Sequence, residues 1–131
     1  MATQGTNVMC SFIANADLSA KQFYAMKLLT SYDNYVDAAT AVGDPIIGIL
    51  QNKPSVACRS AQVAVIGKCK GFAGGTINVG SRLTSDGSTG KLAAAAPAAG
   101  ANNALAGFSL VEAVSGDVFS MFALPHIMQG A

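Results

Sequence analysis

The sequence predicts a mainly β protein: a small single-domain β-barrel or β-sandwich with an extended N-terminal arm. Three observations lead there. Apolar residues fall in short runs closed by Gly, Pro, Asn or Asp, without the sustained helical spacing of a bundle. The densest series, GDPIIGILQNKPSVACRSAQVAVIGKCKGFAGGTINVGSRLTSD, fills positions 43–86 with such runs. A length of 131 residues suits one domain that buries about two thirds of the surface its unfolded chain exposes.

Residues 1–16, MATQGTNVMCSFIANA, read as an arm with a short strand at 8–13, and residues 17–131 as the β-rich domain. Val8, Met9, Phe12 and Ile13 are too apolar to be left in water, and no partner strand is near in sequence. The arm is therefore expected to add to a sheet edge of another chain, and its removal to leave the β core folded.

Asp17 can cap a helical turn, after which 22–29 becomes β-like around Phe23 and Tyr24. Residues 31–34 carry turn chemistry, 35–40 a strand, 42–45 a turn and 46–51 a buried strand. Residues 62–66 form the next strand, and 68–73 are expected to pair beside it across or near Gly67. Gly74-Gly75 permits a turn because glycine reaches positive φ without steric cost. Residues 76–79, Gly80 and 82–85 make a tight corner, and Asp86-Gly87 is a hairpin-turn signal.

Residues 91–103, KLAAAAPAAGANN, read as a surface loop with one helical turn at most, since Pro97 and Gly100 interrupt the alanine run. Residues 104–113 and 118–124 follow as antiparallel strands joined through Ser115-Gly116-Asp117. In the second, Val118, Ser120, Phe122 and Leu124 face one side and Phe119, Met121 and Ala123 the other. Both sets are mostly apolar, so this strand is central or covered by a neighbouring subunit. The tail, 125–131, is expected to be short and exposed. Ile47-Gly48-Ile49 echoes Ala106-Gly107-Phe108, through two similar barrel halves or through chance.

Composition narrows the function classes. Charged residues make up 11% of the chain against about 25% in an ordinary soluble domain, so much of the surface is expected to be covered by partners. Every apolar run is broken well short of the roughly 20 residues that span a bilayer, and residues 1–20 lack the basic start and apolar centre of an export signal. Lys and Arg are scattered singly, Lys68 and Lys70 being the closest pair, so no track for phosphates is evident. Lys68 and Lys70 read first as a solvated or edge-strand face and second as a contact with an acidic surface.

Chemistry-bearing residues are sparse. Cys10, Cys58 and Cys69 cannot all pair and show no CxxC spacing, so reduced thiols are expected and a zinc site with His126 is not. His126, the one histidine, stands beside Pro125 in the expected tail. Asp33, Asp44, Asp86 and Asp117 sit in turn contexts, leaving no carboxylate pair. Glu112 either faces solvent or pairs with Arg82 or Arg59. The Gly-rich pieces at 71–75 and 87–90 lack the Lys-Ser/Thr and helix of a phosphate loop. No catalytic residue, metal or cofactor is assigned, and the chain is not expected to be an enzyme.

Three segments, in order IGILQNKP (47–54), VAVIG (63–67) and AGGTINVG (73–80), resemble the capsid cement, or head-decoration, proteins of tailed bacteriophages. ADLSAKQFY (16–24) with Lys27-Leu28 is similar to that family's opening segment. LTSDG (83–87) with Gly90-Lys91 is similar to its hairpin, and AGFSLVEA (106–113) leading to Gly116-Asp117-Val118 to its closing strands, so the resemblance covers most of the chain.

The resemblance implies a β-tulip-like domain and a structural role in the virion. The protein would be made in the host cytoplasm and docked on the outer surface of the phage head. Its partner would be the major capsid protein, which it would meet as a homotrimer at three-fold and quasi-three-fold positions, with no part for nucleic acid or membrane. On that reading the contacts come from Val8, Met9, Phe12 and Ile13 of the arm and from Phe119 and Met121 of the closing strand. The alternative is a small β-barrel binding or carrier module of a larger assembly, for which Lys91 is the nearest candidate for a modified lysine, without the carrier motif around it.

Overall fold

A computed structural model describes residues 7–41, 43–97 and 99–129. The chain is nearly all β, as expected: β1 (Asn7–Ala14), β2 (Ala25–Leu28), β3 (Tyr35–Ala38), β4 (Ile46–Leu50), β5 (Ser60–Phe72), β6 (Arg82–Ser85), β7 (Leu92–Ala94), β8 (Asn102–Ser109) and β9 (Val118–Gln129), with one 3-10 turn at Ser19–Lys21. The strand order is β1-β3-β2-β4-β5-β9-β8-β6-β7, and β1 also pairs with β5. That extra pairing closes β1, β3, β2, β4 and the first half of β5 into a five-stranded barrel. The second half of β5 leads into an open sheet of β9, β8, β6 and β7.

β5 joins the two parts. Its residues from Ser60 to Gly67 pair antiparallel with β1, and those from Gly67 to Phe72 pair antiparallel with β9. Consecutive Val8 and Met9 face Ile66 and Ala64, so Val65 is the extra residue of a β-bulge. A bulge bends the strand and resets which side chains point inward. Ala61 and Val63 accordingly fill the barrel, whereas Ala64 and Cys69 fill the space between barrel and open sheet. Residues 62–66 and 68–72 thus belong to one strand, with Ala73 an isolated bridge beyond it, and 68–73 do not pair beside 62–66 as anticipated. Gly67, at φ +117°, takes part in both ladders and bends the strand without turning it back.

Further register shifts lie between β2 and β4, β6 and β8, and β8 and β9. Pro125 falls at the last of these, between Ala123, which faces Gly107, and His126, which faces Leu105. A residue with no N–H is tolerated at such a break in the ladder. The two echoing glycines meet one local demand, because a Cβ at Gly48 would overlap the Ala64 carbonyl oxygen and one at Gly107 the Phe122 carbonyl oxygen. Since Gly48 lies in the barrel and Gly107 in the open sheet, the echo does not mark two halves of one barrel.

Two cores follow from this arrangement. Leu18, Met26, Val36, Leu50 and Val63 fill the barrel, with Phe12, Tyr24 and Ile47 packed against them. Ile49, Cys69, Ile77, Leu83, Leu92, Phe119 and Met121 fill the layer between barrel and open sheet. Adjacent residues such as Ile49 and Leu50, or Val63 and Ala64, therefore serve different cores, which explains why these strands read as unbroken apolar runs.

Several boundaries differ from the sequence reading. Residues 1–6 lie outside the described set, and 7–14 are no free arm: β1 lies between β5 and β3, pairing antiparallel with one and parallel with the other. Residues 76–79 contribute one isolated bridge, Ile77 to Ala113. The alanine-rich stretch holds β7 in place of a helical turn, because Leu92 is buried in the inter-sheet core and Ala93 pairs with Thr84. The expected tail is strand through Gln129, with Asn102 to Leu105 of β8 as its partner. Turn aspartates behave as their chemistry suggests: Asp86 Oδ1 accepts from the Ser88, Thr89 and Gly90 amides, and Asp117 accepts from the Val114 amide.

Candidate interaction surface

Strand β9 alternates as anticipated except at Ser120, which is buried on the otherwise exposed side, and the two faces carry opposite roles. Phe119 is 1% and Met121 0% exposed, both inside the inter-sheet core. Both are covered within this fold, because β9 is central between β5 and β8 and Phe119, Met121 and Ala123 point at the barrel wall. The opposite set holds the exposed apolar side chains Val118, Phe122 and Leu124.

Of the arm residues, Val8 is 56% exposed and Met9 also reaches solvent, while Phe12 packs on the barrel core and Ile13 is half-buried. Val8 stands opposite Ile66, which is 47% exposed. The structure therefore brings Val8 to the outer face of β5 and leaves it apart from the buried Phe119 and Met121.

From Ile66 the outer face of β5 continues through Lys68, Lys70 and Phe72, with Gly67, Cys69 and Gly71 turned inward. Lys68 faces Phe122, Phe122 faces Phe108 and Phe108 faces Arg82. Directly opposed residues project to the same side of a sheet, so Lys68, Phe122, Phe108 and Arg82 form one row across four strands, cationic at both ends and aromatic between. The Arg82 guanidinium carbon lies 5.9 Å from the Phe108 ring centre, and His126 stacks on the same ring at 5.7 Å with 28° between planes. His126 Nδ1 lies 2.6 Å from the Leu124 carbonyl oxygen, which can only accept, so Nδ1 carries the proton.

Lys70 Nζ is 6.0 Å from the Phe23 ring centre and Lys91 Nζ 5.6 Å from that of Phe72, contacts worth about 0.5–1 kcal/mol at exposed sites. Lys91 thus follows the Gly87–Gly90 turn directly, precedes β7 and extends its Nζ over Phe72. None of the seven acidic residues lies in β5, β6, β8 or β9. They occupy the β1–β4 half, as do Asp17, Asp33, Asp37 and Asp44, or the loops beside the open sheet, as do Asp86, Glu112 and Asp117. Asp44 pairs with Lys27 at 3.2 Å, and Glu112 lies exposed in the loop after β8.

Burial pushes the Cys69 thiol up to about 12, against a small opposing effect of the Ala123 backbone hydrogen bond. Hydrogen bonds from the Ser19 hydroxyl and amide hold the Asp17 carboxyl below its ordinary value. Cys10, Cys58 and Cys69 are free thiols. A shallow cleft of about 350 Å³ between β4 and the end of β9 is lined by Pro45, Ile46, Ala104, His126 and Ile127 among others, with His126 as its titratable group.

The order and register of this surface were not legible in the sequence, although the alternation 118–124 was. The missed members, Phe108 and Arg82, left a trace only in a side-chain parity that depends on which strands are neighbours.

Comparison with known proteins finds no matching family model and no matching curated protein. Among solved structures the fold is similar to that of the N base of the head fibre protein gp8.5 of bacteriophage phi29. The TM-score is 0.61 and the identity 16%, over 90% of this chain and 94% of that one. At that identity the likeness is one of fold, and it takes in the barrel and the open sheet together.

Proposed function

We propose that this chain is a structural protein of a phage head. It acts as a decoration protein that binds the outer surface of the assembled major capsid protein lattice and stabilises the shell without catalysing a reaction. The observation that carries this reading is the likeness of fold, over nearly the whole length of both chains, to the base of a phage head fibre. The ordered segments at 16–24, 47–54, 63–67, 73–80 and 106–113 support it independently through their resemblance to decoration proteins. The low charge content and the row of outward apolar side chains on the open sheet fit a protein whose surface is partly covered in its working state.

The physical mechanism is linkage. A protein that binds the assembled lattice and not free subunits stabilises the lattice by its own binding free energy, and copies grouped as a homotrimer gain through effective concentration. To test this, heads of the encoding phage, assembled without this protein, are mixed with it, sedimented and imaged. Regular density at three-fold and quasi-three-fold positions, with heads that survive higher temperature, is the expected result. Heads that carry no copies at micromolar protein overturn the reading. A monomer in solution together with isolated single copies on the head overturns its trimeric part.

A further inference from the structure

We infer that the outer face of the open sheet, centred on the row Lys68, Phe122, Phe108 and Arg82, is the docking face, and that its occupant is a protein surface bearing carboxylates. This rests on the head-protein reading above and names the face and the chemistry of its contact.

Charge carries the choice of occupant. The row ends in a cation on each side, Lys70 lies one outward position along β5, and no acidic residue occurs in any strand of this sheet or in β5. The net charge of the whole chain is only +1, so the local excess comes from segregation and not from a generally basic surface. An acid-free patch with cations around an apolar centre has the layout of an interface, with an aromatic anchor and charges that steer and orient. Phe122, 38% exposed, is the anchor.

Nucleic acid fits the same cations less well. Base stacking needs free aromatic faces, yet Phe108 is already flanked by Arg82 and His126, and Phe23 and Phe72 by Lys70 and Lys91. Tracking a backbone also takes more phosphate contacts than these few cations supply.

The test compares four proteins on heads lacking the native copy: wild type, Lys68→Glu with Arg82→Glu, Lys68→Gln with Arg82→Gln, and Arg59→Glu as a control. Arg59 is exposed before β5, at the barrel end. Melting curves verify folding, and the Gln pair keeps the test informative should charge reversal impair it. Wild type should lose affinity as salt rises from about 50 to about 200 mM. The Glu pair should bind at least about tenfold more weakly, the Gln pair should fall between, and the control should stay within about twofold.

Wild-type binding with the Glu and Gln pairs unchanged, or with the control weakened as much as they are, overturns the docking face while leaving the head-protein reading intact. No wild-type binding overturns both. Tight binding of a single-stranded oligonucleotide of about 20 nucleotides, abolished by the same reversal, identifies the face as a nucleic-acid site and also overturns the inference.

Discussion

Neighbouring residues on β9 should separate stability from surface function. Met121 is fully buried and Phe122 is 38% exposed. Met121→Ala removes three heavy atoms, a transfer loss of roughly 2 kcal/mol at about 0.8 kcal/mol per methylene-sized group. The cavity left behind adds to it, placing the cost at about 2–5 kcal/mol. The site cannot close easily, since Met121 Sδ lies over the backbone of Gly71, close enough that a Cβ there would sit 2.7 Å from it.

Phe122→Ala removes surface that is partly wet already and a cross-strand contact with Phe108, a cost of about 1 kcal/mol. Urea unfolding followed by circular dichroism measures both, and a loss of about 3 kcal/mol also lowers Tm by roughly 10 °C in a domain of this size. Gly71→Ala should cost about 1–3 kcal/mol through overpacking, since a Cβ there would sit 2.5 Å from Leu92 Cδ1 and 2.7 Å from Met121 Sδ, and somewhat less in the Met121→Ala background, which relieves the second of these contacts. Equal losses for Met121→Ala and Phe122→Ala, or a Met121→Ala protein within about 0.5 kcal/mol of wild type, would refute the inside-outside assignment of β9.

Deleting residues 2–13 removes most of β1 and opens the barrel between β3 and β5, so the truncated chain should lose cooperative unfolding, and a sharp melt within a few degrees of wild type would contradict this. At pH 8 a thiol-specific reagent should modify exposed Cys58 quickly and Cys69 only after denaturation, because burial raises the Cys69 thiol to about 12; counting labelled sites by mass spectrometry checks it. At Asp86 partial burial raises the carboxyl pKa, but hydrogen bonds from Thr89, Ser88 and Gly90 outweigh it and leave the folded value below the ordinary 3.8. Its contribution is therefore present above about pH 4 and lost as pH falls through the folded value, so Asp86→Ala should cost about 1 kcal/mol at pH 7 and flatten the acid limb of the stability profile, measured by urea titration at each pH.

The sequence and the structure agree most closely where the cause is local. Asp86-Gly87 makes its turn because a carboxylate within four residues of three amides needs no distant partner. The reading of Phe119, Met121 and Ala123 against Val118, Phe122 and Leu124 held because strand alternation has a period of two whatever the neighbours are, while Ser120 of the second set is buried by what packs over it. Which set was inside could not be told, since both are apolar and only the position of β9 between β5 and β8 decides. The reading of Gly67 as a turn failed for a related reason. Glycine permits a turn or a bend, and the ladders of β1 and β9 on one strand choose the bend.

By itself the sequence determined the β class, the single domain, the turns built on Asp and Gly, and the shortage of charge, because each depends on residue type and short-range spacing. Tertiary structure alone decided that residues 7–14 close a barrel, that the alanine-rich stretch becomes an edge strand, and that Lys68, Phe122, Phe108 and Arg82 meet. Those four come from β5, β9, β8 and β6, and they form a row only because hydrogen-bond register between strands far apart in the chain sets them opposite one another. Register is a property of paired backbones, and it has no signature in any one segment.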